Sequence, residues 1–339
     1  MQHEKVRDIL IAIGQQVCEK VHHSLVHQSI EELSAVHEET AEDTIYQIDR
    51  DVESIILPAL SRHAAELRGI ILIAEGIGDQ ETVVLPEAMP AEATAIRILI
   101  DPIDGTRGIM YDKRSAFFLA GAAPNHGPQT SLLDTEVAVM VELPTSRSVL
   151  SDTFWAIKGQ GAHGFTRNLE TQVEKKRPIT PTKSSTILGG FAQISRFFPP
   201  GKDILAQIEE KLIATLLPEP PENRAIIFED QYISTGGQLY EMLVGHDRFV
   251  ADLRASLYRR LKSEGHWIGL ICHPYDVSAH LIGMEAGLTI TAADGSPLNP
   301  PLDTTHPVDW IAYGNPTIRA QVEPVLQQLL RDYHLTTKE

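Results

Sequence analysis

Apolar residues recur at three-and-four spacing near the start of the chain, at Val6, Ile9, Leu10, Ile13, Val17, Val21 and Leu25. That period predicts an amphipathic helix over residues 4 to 33. A second helix is predicted to open at Asp49 and to bury Val52, Ile55, Ile56 and Leu60, with Pro58 bending or shortening it. The pattern then changes. Runs at 69–74, 95–100, 116–122, 137–142 and 149–157 are β-branched or almost continuously apolar, as buried strands are, and the last three predict an antiparallel continuation of one sheet. Beyond Ile187 strands and helices alternate, with helices expected near 203–216, 238–244 and 281–286 and a strand at 225–228. The polar stretch 170–183, rich in Lys and Arg with two prolines, reads as the connection between a lobe of residues 1–178 and one of residues 179–339.

Composition narrows the class. With 42% hydrophobic and 22% charged residues in 339, the chain has the makeup of a globular enzyme large enough for a substantial core. A net charge of −17 argues against a nucleic-acid polymer as partner, because neutralising a phosphate backbone needs a basic face. Small phosphates remain open, since metal ions and backbone amides can bind them whatever the overall charge. No stretch reaches 18 uninterrupted apolar residues and the N-terminus lacks a secretory pattern, so no membrane partner and a cytoplasmic location are expected. Cys18 and Cys272 lack C-x-x-C spacing, which points to two buried thiols, not a zinc site or a disulfide. His22, His23 and His27 read as a solvated helix face.

Candidate chemistry concentrates in Ile100-Asp101-Pro102-Ile103-Asp104-Gly105-Thr106. A buried strand would deliver Asp101 and Asp104 to a sheet edge, Pro102 would stop the ladder, and Gly105 would let the backbone approach a ligand closely. Two carboxylates at such a turn suit Mg²⁺, and the Gly105 and Thr106 N–H groups could face a phosphate. Glu75 ends the strand 69–74. The G-x-G-x-x-G match at Gly159–Gly164 is not followed by a strand-helix-strand unit, so a glycine-rich hairpin is expected there in place of a dinucleotide site. Ser234-Thr235-Gly236-Gly237 precedes a helical stretch, and both substrate admission and simple capping account for it. His273-Pro274-Tyr275-Asp276-Val277-Ser278-Ala279-His280 leads into an apolar helix.

Taken together these segments resemble the inositol monophosphatase family, within the superfamily of Mg²⁺-dependent, lithium-sensitive phosphatases that includes fructose-1,6-bisphosphatases and bisphosphate nucleotidases. The similarity runs from about Asp43 to the C-terminal helix. Asp43 to Asp49 fits the family's D-L-V-T-x-x-D run with Tyr46 for Thr, Glu75-Gly76 its G-E-E with the second Glu replaced, and Tyr275-Asp276 its W-D-x-A-A-G. The resemblance implies an α/β (α+β) fold, a layered αβαβα sandwich with the site between the lobes, and a homodimer. It implies two or three Mg²⁺ ions held by Glu75, Asp101, the Ile103 carbonyl, Asp104 and Asp276. Thr106, paired with Asp49, would take the proton of the attacking water, with Glu75 assisting a third metal. Gly105, Thr106, Arg107, Ser234, Thr235, Gly236 and Asp276 would contact the substrate.

The implied activity is Mg²⁺-dependent hydrolysis of a small phosphorylated metabolite, an inositol or sugar phosphate, by metal-activated water. Two departures bear on the substrate. The family's inositol phosphatases carry a Glu for sugar hydroxyls seven residues before the final Asp, where this chain has Gly269. Arg107-Gly108 is closer to the Lys-Gly of bisphosphate nucleotidases, and Arg107, Lys113 and Arg114 could meet a second phosphate, so a 3′(2′),5′-bisphosphate nucleotidase is the alternative. His280, where the family has Gly, is expected to add bulk beside the site. A non-catalytic phosphometabolite-binding protein is the alternative of another class, and the retention of Asp49, Glu75, Asp101, Asp104, Thr106 and Asp276 argues against it.

Overall fold

A computed structural model describes residues 1–34, 36–39, 44–78, 81–219 and 222–336, with backbone alone for 36–39, 44–47 and 49–51. The chain begins with α1 (His3–His27), whose apolar stripe is buried as its period predicts. The helix does not run to residue 33: Ser29 and Glu32 form a capping box that starts the separate turn α2 (Ile30–Leu33). Strands β1 (Val36–Glu39) and β2 (Thr44–Tyr46) form a small ribbon before α3 (Gln47–Ala64). α3 opens two residues ahead of Asp49 and passes through Pro58 without ending. Asp43 and the side chain of Asp49 lie outside the described residues.

Eight strands form the first sheet: β3 (Ile70–Ala74), β4 (Thr82–Leu85), β5 (Ile96–Asp104), β6 (Ala116–Pro124), β7 (Val137–Leu143), β8 (Leu150–Ile157), β9 (Ala162–Asn168) and β10 (Glu174–Lys176). Their order is β10-β9-β8-β7-β6-β5-β3-β4, antiparallel throughout except for β3 against β5. The expected glycine-rich hairpin joins β8 to β9, with Gly159 and Gly161 at positive φ. A four-residue helix, α4 (Thr106–Ile109), follows β5. The second half contributes β11 (Phe191–Ile194), α5 (Lys202–Leu216), α6 (Thr235–Leu243), β12 (Asp247–Asp252), α7 (Arg254–Ser263), α8 (His280–Ala286), β13 (Thr289–Thr291), β14 (Trp310–Tyr313) and α9 (Pro316–Asp332). The second sheet runs β11-β12-β14-β13. The expected strand at 225–228 is irregular chain that makes one bridge, Phe228 to Phe191, because Gly189, Gly190 and Ala192 exchange backbone hydrogen bonds with it only locally.

Strand alternation places the layers. Ile70 and Leu72 face α1 and α3, while Ile71 and Ile73 face the opposite core, where Leu239 and Met242 of α6 and Ile282 of α8 meet Val250 and Ala312 of the second sheet. The far side of that sheet, Phe249 and Tyr313 among others, packs on Leu205 of α5, Leu257 of α7 and Ile318 of α9. The result is helix, sheet, helix, sheet, helix. Both cysteines are buried thiols, and burial pushes Cys18 up to about 12. Among the described residues, no helix is long and apolar enough to cross a membrane.

Candidate active site

Asp101 and Asp104 are three positions apart, an odd spacing that would send their side chains to opposite faces of a regular strand. β5 does not end at Pro102, contrary to the turn expected there. It continues to Asp104 with a bulge, so that Asp101 pairs with Leu119 and Asp104 with Phe117. Three steps on β5 match two on β6, and the extra residue returns both carboxylates to one side. Gly105 then takes φ +97°, a left-handed conformation that reverses the chain into α4.

The third carboxylate comes from the other half. Asp276 sits in a single 3-10 turn, Tyr275–Val277, one step before α8, and its side chain accepts a hydrogen bond from His273 N–H at 2.6 Å. It therefore braces the approach to its own turn and does not cap α8. Oxygens of Asp101, Asp104 and Asp276 lie within 4.8 Å of one another. Glu75, directly after β3, lines the same cleft and accepts from Tyr275 Oη at 3.3 Å.

These acids are held very differently. Asp104 accepts from Ser234 Oγ at 2.7 Å, from Thr235 N–H at 3.3 Å and from Gly236 N–H, all at the start of α6. Ser234 Oγ also accepts from Gly237 N–H at 2.8 Å, which makes it the helix cap as well. Gly236 has no alternative here, since a Cβ would lie 2.8 Å from Asp104 Oδ2. Burial still raises the Asp104 carboxyl to about 6, although the Ser234, Gly236 and Thr235 donors pull it down. Among the described residues Asp101 has one donor, Ile103 N–H at 3.1 Å. Burial first, then the charges of Glu75, Asp104 and Asp276, push it well above the carboxylate range. Burial and Asp104 do the same to Asp276.

Crowded, partly desolvated carboxylates of this kind call for a cation. Arg254, 5% exposed and at the start of α7, lines the same cleft. Its guanidinium is already clamped by the wholly buried Asp252, at 2.9 Å from Nε to Oδ1 and 2.6 Å from Nη2 to Oδ2. Burial acts to lower the Arg254 pKa, but Asp252 outweighs it and keeps the group cationic. That charge is spoken for, so the three aspartates retain room for a metal. Their donor set is all oxygen, which suits Mg²⁺.

The sequence model of the inositol monophosphatase family matches residues 2–330. The chain belongs to the inositol monophosphatase family. Solved structures agree on the fold. Extragenic suppressor protein SuhB from Bartonella henselae is 16% identical, with 96% of this chain and 99% of that one covered and a TM-score of 0.64. Inositol monophosphatase from Anabaena is 15% identical over 96% of each chain, with a TM-score of 0.58. Fructose-1,6-bisphosphatase from Leishmania major is 14% identical over 96% of this chain and 94% of that one, with a TM-score of 0.64. No curated protein sequence matches the chain.

Of the residues that family resemblance singled out, Glu75, Asp101, Ile103, Asp104, Gly105, Thr106, Arg107, Ser234, Thr235 and Asp276 all line one cleft. Gly236 stands behind it, on Asp104. Thr106 Oγ1 donates to the Ile103 carbonyl at 2.8 Å. Arg114 turns elsewhere: it pairs with Asp230 at 2.5 Å and lies over the Tyr232 ring. His280 does not crowd the cleft. It opens α8 in the core, where burial lowers its pKa to about 4. At Gly269 there is no space for a carboxylate, because a Cβ would meet the Pro199 carbonyl at 2.5 Å. Sequence reasoning missed Arg254, Phe197, Phe198, Ile233, Leu270 and Ile271, which line the cleft too. The one available signal was Asp252-Leu253-Arg254 at the end of an apolar run.

Proposed function

We propose that the protein is a Mg²⁺-dependent phosphomonoesterase acting on a small phosphorylated metabolite through an activated water. The single observation that carries this reading is the group of three carboxylates, from both halves of the chain, gathered within 4.8 Å. Glu75, Asp101 and the Ile103 carbonyl would hold one ion, Asp101, Asp104 and Asp276 a second, and Glu75 would help with a third. When bound, Mg²⁺ supplies positive charge to the phosphoryl oxygens and lowers the pKa of water.

The chain's own residues do the rest. The α6 start holds Asp104 in place, and Tyr275 holds Glu75. Thr106, with Asp49 as the proton's destination, receives the proton of the attacking water, a pairing that rests on the family resemblance. Lithium inhibition, a homodimer and a cytoplasmic location belong to the same proposal, as do the inositol and sugar phosphates that the resemblance implies. Phosphate release is to be measured on myo-inositol 1-phosphate, fructose 1,6-bisphosphate and adenosine 3′,5′-bisphosphate, with Mg²⁺ and with Mg²⁺ plus Li⁺. Magnesium-dependent, lithium-sensitive release from one of them is expected. Silence across these and a wider panel of phosphate esters refutes the proposal.

A further inference from the structure

The cleft has an apolar side as well as an acidic one. Phe197, Phe198, Ile233, Leu270 and Ile271 line it together with the carboxylates. The two phenylalanines follow β11, and the Leu270–Ile271 pair sits on irregular chain between α7 and the Asp276 turn. Trp267 and Ile268, just upstream on that chain, are 64% and 40% exposed.

This surface is braced. The Arg254 guanidinium lies over the Phe197 ring at 4.6 Å and the Phe198 ring at 5.5 Å. Asp252 fixes the guanidinium, and Arg254 Nη1 also donates to the Leu270 carbonyl at 3.0 Å, tying both apolar segments to one buried ion pair. The rings meet edge to face at 5.0 Å, and Tyr258 Oη donates to the Phe198 carbonyl at 3.2 Å. None of the five apolar side chains can bond to a hydroxyl. A bare polyol pressed against them would lose water without replacement partners, whereas a flat apolar ring would gain contact area and ring-on-ring packing.

We propose that the phosphate ester accepted by this site carries a planar aromatic group, which packs against Phe197 and Phe198 while the phosphate faces the three aspartates. The proposal rests on the phosphomonoesterase reading and puts an aromatic ester in place of the inositol and sugar phosphates that the resemblance implies. Turnover is a poor readout, because an aryl oxide leaves more readily than an alkoxide whatever the pocket does. Binding separates the two questions.

The measurement is calorimetric titration, in Mg²⁺, of phenylphosphonate against 2-hydroxyethylphosphonate, neither of which contains a bond that the site can hydrolyse. Phenylphosphonate should bind about tenfold more tightly. Phe198→Ala and, as a second variant on the other segment, Leu270→Asn should each remove most of that preference. Equal affinities, a preference for the hydroxyl, binding of neither compound, or a preference that survives both substitutions overturns the proposal. Aromatic preference without phosphate release from any ester would sink the hydrolase reading alone. Hydrolysis without aromatic preference would sink the substrate assignment alone.

Discussion

The two sides of the cleft each contain buried charge, and they treat it in opposite ways. On the apolar side Arg254 and Asp252 cancel one another in a closed pair that also steadies two aromatic rings. On the acidic side Asp101, Asp104 and Asp276 crowd together, and the donors that reach them among the described residues are neutral, so negative charge is left over. A closed pair is structural, since removing either partner strands the other in a poorly solvated place. Leftover charge marks where a cation belongs. The contrast orients a ligand before any ligand is seen, with its phosphate toward the open charge and its carbon skeleton toward the closed one.

The largest test of that contrast is Asp101→Asn. Turnover should fall by about a thousandfold with weaker Mg²⁺ binding, and the metal-free protein should melt higher because repulsion is relieved. A lower metal-free melting temperature would show that the acidic side carries no surplus charge. Thr106→Ala should lower the rate about a hundredfold while changing metal affinity much less. Equal metal loss in both variants would refute this division of roles. The opposite sign is expected across the cleft: Asp252→Asn leaves Arg254 buried and unpaired, and should cost about 3–5 kcal/mol in denaturant unfolding.

Ser234→Ala removes one support of Asp104 and the α6 cap together. It should weaken Mg²⁺ about tenfold and cost about 1 kcal/mol of stability, read by titration and by melting. The smallest effect is on pH dependence. Folding raises the Asp104 carboxyl from 3.8 to about 6, so in chelator its contribution to stability is full below about pH 4 and is lost as pH rises through 6. Mg²⁺ needs the ionised form, so the melting increment it confers should grow between pH 5 and 7. An increment independent of pH would mean that the aspartates are ionised throughout.

Glu75, Asp101 and Asp104 were readable in the sequence because they lie in short runs at strand ends, where burial pattern and turn chemistry coincide, whereas Asp276, in a 3-10 turn, was singled out by the family resemblance. The change of period showed only a mixture of α and β, and the αβαβα order followed from the resemblance alone. Pro102 misled, because its missing N–H is harmless at a bulge where no ladder partner requires it. The strand expected at 225–228 also misled: it lies against the β11 edge but makes a single bridge there, because local β-propensity does not by itself set a continuous ladder. The apolar side was not readable. Phe197, Ile233 and Leu270 are far apart along the chain, each looks like ordinary core, and only folding shows that they share a surface with Arg254.

The bulge in β5 has a consequence for how this segment can change over time. Which way Asp101 and Asp104 point depends on the parity of the residues between them as well as on which residues those are. Point substitutions at Pro102 or Ile103 alter shape but keep the count, whereas losing or gaining one residue there would turn a carboxylate into the opposite core. The segment should therefore drift in composition and hold its length, a constraint written in arithmetic.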